Sequence, residues 1–161
     1  MRLFLLDLGV WLFLHLTISL GLIKLPDRFL SGSHLLYELF KERSFEKNGK
    51  FWKDKVKVHK WKDKLPDGAS LFHAGYKKKE LQNNDIYTIR VFIKETKRAE
   101  LTHWLLIVPA PFFFLWNPVW AGWVMIVYAL LVNVPFIMIQ RYNRIRLTRI
   151  EKKRQTYTDK K

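Results

Sequence analysis

The chain has 161 residues, 49% of them hydrophobic, and carries a formal charge of +15 with no cysteine. This length is one domain's worth of chain, and the missing cysteines exclude disulfides, thiolate metal sites and a Cys nucleophile. Apolar and basic residues are segregated: no Lys or Arg lies between Arg98 and Arg141, while the flanking chain is dense in both. So basic a chain suits nucleic acid or an anionic membrane surface, and the long apolar runs favour anionic lipid over nucleic acid.

The first apolar run, residues 3–23, is interrupted only by Asp7 and His15 among strongly polar groups. About 20 apolar residues cross a bilayer core, so the run is long enough for a transmembrane helix. A cleavable signal peptide is the alternative, with small residues at Ser19-Leu20-Gly21. Its n-region, one Arg followed by Asp7, argues for an uncleaved anchor.

Residues 24–100 form a basic middle segment. Pro26, Gly32, Gly49, Pro66-Asp67-Gly68 and Gly75 divide it into short pieces. Leu35, Leu36, Leu39 and Phe40 have helical spacing, and Ser44 is placed to cap a short helix through Phe51 and Trp52. Val56, Val58 and Trp61 fit either strand or helix. Asn84 is placed to cap an amphipathic helix with Ile86, Ile89, Phe92 and Ile93 on one face and Arg90, Lys94 and Lys97 on another. Such a helix would lie on the membrane and lead into the next span.

A second apolar region divides at Asn117-Pro118 into residues 101–116 and 119–140, the two arms of a transmembrane hairpin. The first arm is short and carries Pro109 and Pro111, which predicts a kinked, tilted or re-entrant segment. Trp104, Trp116 and Trp120 stand where interfacial aromatic belts are expected. Residues 141–161 form a basic tail. Of the Lys and Arg residues, 19 lie in 24–100 and 9 in 141–161, and none at the hairpin turn. The positive-inside rule therefore places the middle segment and tail in the cytoplasm and the N-terminus outside. The expected fold is a mainly α, integral, multi-pass protein of the cell membrane, a single membrane domain.

If both arms meet one membrane face, Arg98, Glu100 and His103 come level with Gln140, Arg141, Asn143 and Arg144. Ionisable residues near the hydrocarbon boundary are costly and point to function. Glu100 and His103, three apart, share a helix face, and a carboxylate beside an imidazole suits a general base. The plainer reading is an interfacial His with a snorkelling Glu, and arginines that simply anchor to lipid phosphate. Asn133 lies within the last span and reads as a helix-packing polar group as readily as a ligand. His59 and Asp63 have a His-x-x-x-Asp spacing that a charged chain yields by chance. The nucleophile elbow, P-loop, dinucleotide glycines and His-Glu-x-x-His are absent from the sequence, and neither a metal nor a cofactor is expected.

Three stretches carry a resemblance. They are Phe45-Glu-Lys-Asn-Gly-Lys-Phe-Trp52 continuing through Lys60-Trp-Lys-Asp-Lys-Leu-Pro-Asp-Gly68, then Glu95-Thr-Lys-Arg-Ala-Glu-Leu-Thr-His-Trp104, then Asn133-Val-Pro with Gln140-Arg-Tyr-Asn-Arg144 and Arg146-Leu147. Together they resemble the glycosyl-diaponeurosporenoate acyltransferase family. Ile145 stands where that pattern leads one to expect a proline, which loosens the turn anticipated after the last span.

The resemblance implies the last step of staphyloxanthin-type carotenoid synthesis. In that step a fatty acyl group passes from an acyl thioester (acyl-CoA or acyl carrier protein) to the C6 hydroxyl of glucose on a glycosylated C30 carotenoid acid. The resemblance carries over no catalytic residue; from the residues themselves, His103 is expected to be the base and Glu100 to orient it, with Arg98, Asn143 or Arg144 steadying the oxyanion. Asn133, Gln140 and Arg141 are further expected substrate-binding residues. Lys47, Lys60 and Lys62 would meet the donor's phosphates or an acidic carrier, and Trp61 would stack on sugar or sit in the interface. Other readings are an acyltransferase for another glycolipid or polyprenyl substrate, and a non-enzymatic basic membrane scaffold.

Overall fold

The computed structural model describes residues 1–65 and 86–158, and every regular element among them is helical. The turn at Pro66-Asp67-Gly68, Gly75 and the Asn84 cap lie outside the described residues. Six α-helices follow in order: α1 (Arg2–Ile23), α2 (Asp27–Gly32), α3 (His34–Phe40), α4 (Val58–Trp61), α5 (Ile86–Ile107) and α6 (Val119–Thr158). Single tight turns fill Ser44–Gly49, Phe51–Lys55, Lys62–Lys64 and Ala110–Leu115. Two helices, α1 and α6, are long and apolar enough to cross a membrane. Their apolar side chains are largely exposed, among them Phe4, Leu12, Phe13, Trp123 and Leu131. In water such a surface would be a liability, and in lipid it is the matching solvent. The protein is membrane-associated.

The contacts separate into two compact units. The first comprises Met1–Leu25 with Arg98–Ile137. Its centre is Trp11, stacked on Phe113 at 4.8 Å between ring centroids and packed with Ala110 and Ala129. The Trp11 indole also points its N–H at Met125 Sδ, 3.3 Å away. Asp7, one turn earlier on α1, is buried and accepts hydrogen bonds of 2.8 Å from both Trp116 Nε1 and Asn117 Nδ2. A carboxylate in an apolar span is tolerable only with such partners. Asp7 meeting Asn117 and Trp11 meeting Met125 set α1 parallel to the first half of α6. Arg98 Nη1 donates to Ile23 O at 2.8 Å, satisfying a carbonyl at the end of α1.

The short arm of the hairpin behaves as its prolines dictate. Helix α5 ends at Ile107, and the chain continues as the tight turn Ala110–Leu115 behind Pro109. The return is close: a Cβ at Gly122 would clash with the Phe114 ring, so any larger residue there would force that ring to move.

The second unit comprises Pro26–Lys97 with Met138–Lys161. Helix α3 has the extent its leucines indicated. The Ser44 helix does not form as expected. Lys47, Asn48 and Gly49 adopt positive φ (45°, 58° and 85°), which breaks the stretch into two turns, with Ser44 inside the first rather than capping it. Val58 and Trp61 are helical. Trp52 and Val58 pack with Ile139, Tyr142 and Ile145 of α6. Ile145 is therefore a core residue, and the turn anticipated near it is replaced by an uninterrupted helix to Thr158.

Glu46 organises this unit. It is fully buried, and its Oε1 accepts from Trp52 Nε1 (2.7 Å) and Arg141 Nε (3.0 Å). Its Oε2 accepts from the Arg43 backbone N–H (2.6 Å) and Arg141 Nη2 (2.9 Å). Arg141 also donates to Leu39 O and Lys41 O at the end of α3, and Arg144 donates to Phe40 O at 3.1 Å. Cations at a helix C-terminus complement its exposed carbonyls.

Burial alone would raise the Glu46 pKa, but the hydrogen bonds from Arg141, Arg43 and Trp52 and the Arg141 charge outweigh it. The carboxyl is held below its ordinary value. Its stabilisation is thus present above about pH 4.3 and fades as pH falls through the depressed value. Glu46→Gln removes a buried counter-charge from the Arg141 guanidinium and should cost about 3–5 kcal/mol. Thermal melts in detergent between pH 3 and 7 should show the variant destabilised at neutral pH and the difference shrinking on acidification.

Candidate active site

The first unit holds one polar constellation built around an imidazole. His103 lies on α5, half-buried, its ring stacked on Phe136 at 4.7 Å and 10°. Its Nδ1 is 2.9 Å from Asn133 Oδ1. Asn133, only 1% exposed, donates its Nδ2 to Ala129 O at 2.9 Å. That second bond decides the chemistry. A carbonyl can only accept, so the amide NH2 must face Ala129 and its oxygen must face His103. An amide oxygen can only accept in turn, so His103 Nδ1 carries the proton. Nε2 is then the basic nitrogen. Stacking and hydrogen bond together hold the ring in one orientation.

Glu100 is fully buried one turn before His103, and its Oε1 receives Trp104 Nε1 at 3.4 Å. The group that binds His103 Nδ1 is thus the amide of Asn133, thirty residues away in sequence. Arg98, whose guanidinium reaches Ile23 O, belongs to the same unit. His15 lies on α1 with its ring edge-on to Trp11 at 5.8 Å, a packed polar residue.

The remaining sequence-designated residues belong to the second unit. Arg141 and Arg144 are buried and engaged with Glu46 and the end of α3. Gln140 and Asn143 are half-buried. Lys47 and Lys60 are exposed, and Lys62 is 3.7 Å from Asp63. Trp61 packs at the margin of the core and donates its indole N–H to Val56 O at 3.1 Å. Sequence reasoning overlooked Glu46 because a lone Glu among lysines reads as a solvated surface charge. Asp7 carried a clearer signal, a charge within an apolar span.

Among the described residues no group of His, Asp and Glu could hold a metal ion. Fold and site together describe a mainly helical, membrane-associated protein with an imidazole held in one orientation. The glycosyl-4,4'-diaponeurosporenoate acyltransferase family model matches residues 37–153. Relatives bearing that same name include one from Staphylococcus aureus strain MRSA252, 41% identical over 140 residues, covering 87% of this chain and 82% of the relative. Those from strains bovine RF122 / ET3-1 and USA300 are each 40% identical over the same coverage. No solved structure matches. The chain belongs to the glycosyl-4,4'-diaponeurosporenoate acyltransferase family, and it is an acyltransferase.

Asn133→Leu removes the acceptor at Nδ1 while keeping the volume. Nitrogen-15 spectra of labelled histidine should show one tautomer, protonated at Nδ1, in the parent protein and a mixture in the variant.

Proposed function

We propose that this acyltransferase esterifies the C6 hydroxyl of the glucose on a glycosylated C30 carotenoid acid with a fatty acyl group, the last step of staphyloxanthin-type synthesis. The observation that carries the chemistry is the His103–Asn133 pair, which leaves Nε2 free to take a proton. The names of the relatives carry the substrate. Both substrates are amphiphiles. Their apolar parts remain in lipid while the hydroxyl and the acyl carbonyl meet near the headgroup level, so the membrane supplies much of the alignment.

In the proposed step His103 Nε2 accepts the proton of the C6 hydroxyl as that oxygen attacks the thioester carbonyl. The new C–O bond forms an oxyanion, which collapses with cleavage of the C–S bond. The imidazolium returns its proton to the departing thiolate, so the products are ester and thiol and the enzyme is regenerated. Arg98, in the same unit as His103, is the group proposed to stabilise the oxyanion. Gln140 is proposed to contact the acceptor. Glu100 is proposed to support the His103 helix face, and Arg141 to order its own unit through Glu46. No serine is needed, so transfer is direct.

The proposed topology places the N-terminus outside and residues 24–100 and 141–161 in the cytoplasm, as the basic residues dictate. In that arrangement Lys47, Lys60 and Lys62 face the compartment that supplies acyl-CoA or acyl carrier protein, and the basic surfaces also meet anionic lipid.

His103→Ala should lower kcat about 10²- to 10⁴-fold, the usual contribution of a general base, with little change in KM. The assay is acylation of purified glycosylated carotenoid in membranes holding equal protein. Retention of full turnover would remove His103 from the mechanism. Mass spectrometry of carotenoids from cells with and without the protein tests the acceptor: accumulation of the unacylated glycoside is expected, and an unchanged carotenoid profile with altered glycolipids would reassign it.

A further inference from the structure

His15 lies on α1, in the same unit as His103, and the chemistry above makes no use of it. It is half-buried, with its ring edge-on to Trp11. Its Nδ1 is shut off from solvent and has no hydrogen-bond partner among the described residues. By contrast, Asp7 is met by Trp116 and Asn117, and Asn133 by Ala129 and His103. A buried nitrogen left unmet in an apolar span is costly, and where one persists a ligand is a natural reason.

Helix register says where this nitrogen stands. Trp11 packs with Ala129 of the parallel helix α6. One turn further along each helix come His15 and Asn133, and Asn133 is the residue that holds His103. His15 is thus level with the His103–Asn133 pair. It is also near enough to His103 for a charge on one ring to be felt at the other. Two imidazoles from different helices therefore stand at one level of the unit, one held by an amide and the other with an unmet nitrogen.

The acyl-transfer reading brings a whole sugar to His103. Its unreacting hydroxyls lose water on entering an apolar unit and need new partners. An imidazole nitrogen donates or accepts according to its tautomer, and a hydroxyl answers either. The donor's acyl chain has no polar group to offer, and its thioester oxygen is the atom that Arg98 is proposed to meet.

We propose that His15 is an acceptor-binding residue of this site, its Nδ1 hydrogen-bonded to a sugar hydroxyl other than the one that reacts. This role rests on the acyl-transfer reading above and adds to it the residue that recognises the sugar.

The test uses the full-length protein in nanodiscs without acyl donor, so that no turnover occurs. Two ligands are compared, the glycosylated carotenoid acid and the same acid without its sugar. Binding is read as carotenoid absorbance retained over empty nanodiscs, because both ligands partition into lipid. The parent should bind the glycoside more tightly than the sugar-free acid. His15→Phe keeps a ring against Trp11 but has no nitrogen. It should lower that preference about tenfold, the loss of one hydrogen bond, and leave affinity for the sugar-free acid unchanged. His15→Asn, whose amide puts a polar atom where Nδ1 stands, should keep most of the preference. In steady-state acylation the KM of His15→Phe for the glycoside should rise by the same factor, with its kcat and its KM for the donor little changed.

Taking the ratio of the two affinities within each variant cancels any loss of folded protein. A preference unchanged in His15→Phe overturns the role of His15 and leaves the acyl-transfer reading standing. A preference lost equally in His15→Phe and His15→Asn also overturns it and assigns His15 to packing. A parent that does not distinguish the two ligands overturns both the role and the proposed acceptor.

Discussion

One buried ion pair, Glu46 with Arg141, holds the second unit together. A carboxylate with no solvent exposure is tolerable only when its lone pairs are met, and four donors meet them here. The guanidinium also donates to carbonyls at the end of α3. Through one side chain the α3 terminus, the broken turns around Glu46 and helix α6 are tied to a common point. The hydrophobic cluster of Trp52, Val58, Ile139, Tyr142 and Ile145 packs in the same unit, and the ion pair sets the register in which the short pieces meet α6.

The first unit solves the same problem differently. Asp7 is satisfied by neutral donors, the indole of Trp116 and the amide of Asn117, both at the turn into α6. His103 is satisfied by an amide oxygen. These partners are uncharged, where Glu46 has an arginine.

Much of the architecture was legible in the residues. Two apolar runs of sufficient length, a proline-broken short arm and a basic middle segment appear in the structure as α1, α6, the turn Ala110–Leu115 and a set of short helical pieces. Local patterns failed where local geometry overrode them. The positive φ values at Lys47, Asn48 and Gly49 ended a helix that Ser44 would otherwise have begun, and Ile145 continued a helix where a turn was anticipated. The candidate site was legible in part. His103 and Asn133 were both singled out, but as unrelated residues, the first paired with Glu100 by its spacing of three.

By itself, the amino-acid sequence determined the helical class, the association with membrane and, through three short blocks, the family. Each of these follows from composition or pattern along the chain, where hydropathy and charge are additive and need no partner. The partners of His103 and Glu46 were decided only by the tertiary structure. Asn133 is thirty residues from His103 and Arg141 is ninety-five from Glu46. A hydrogen bond between such residues depends on the packing of whole helices. Only that packing makes one amide the orienting partner of an imidazole, and one arginine the counter-charge that holds a set of short turns in place.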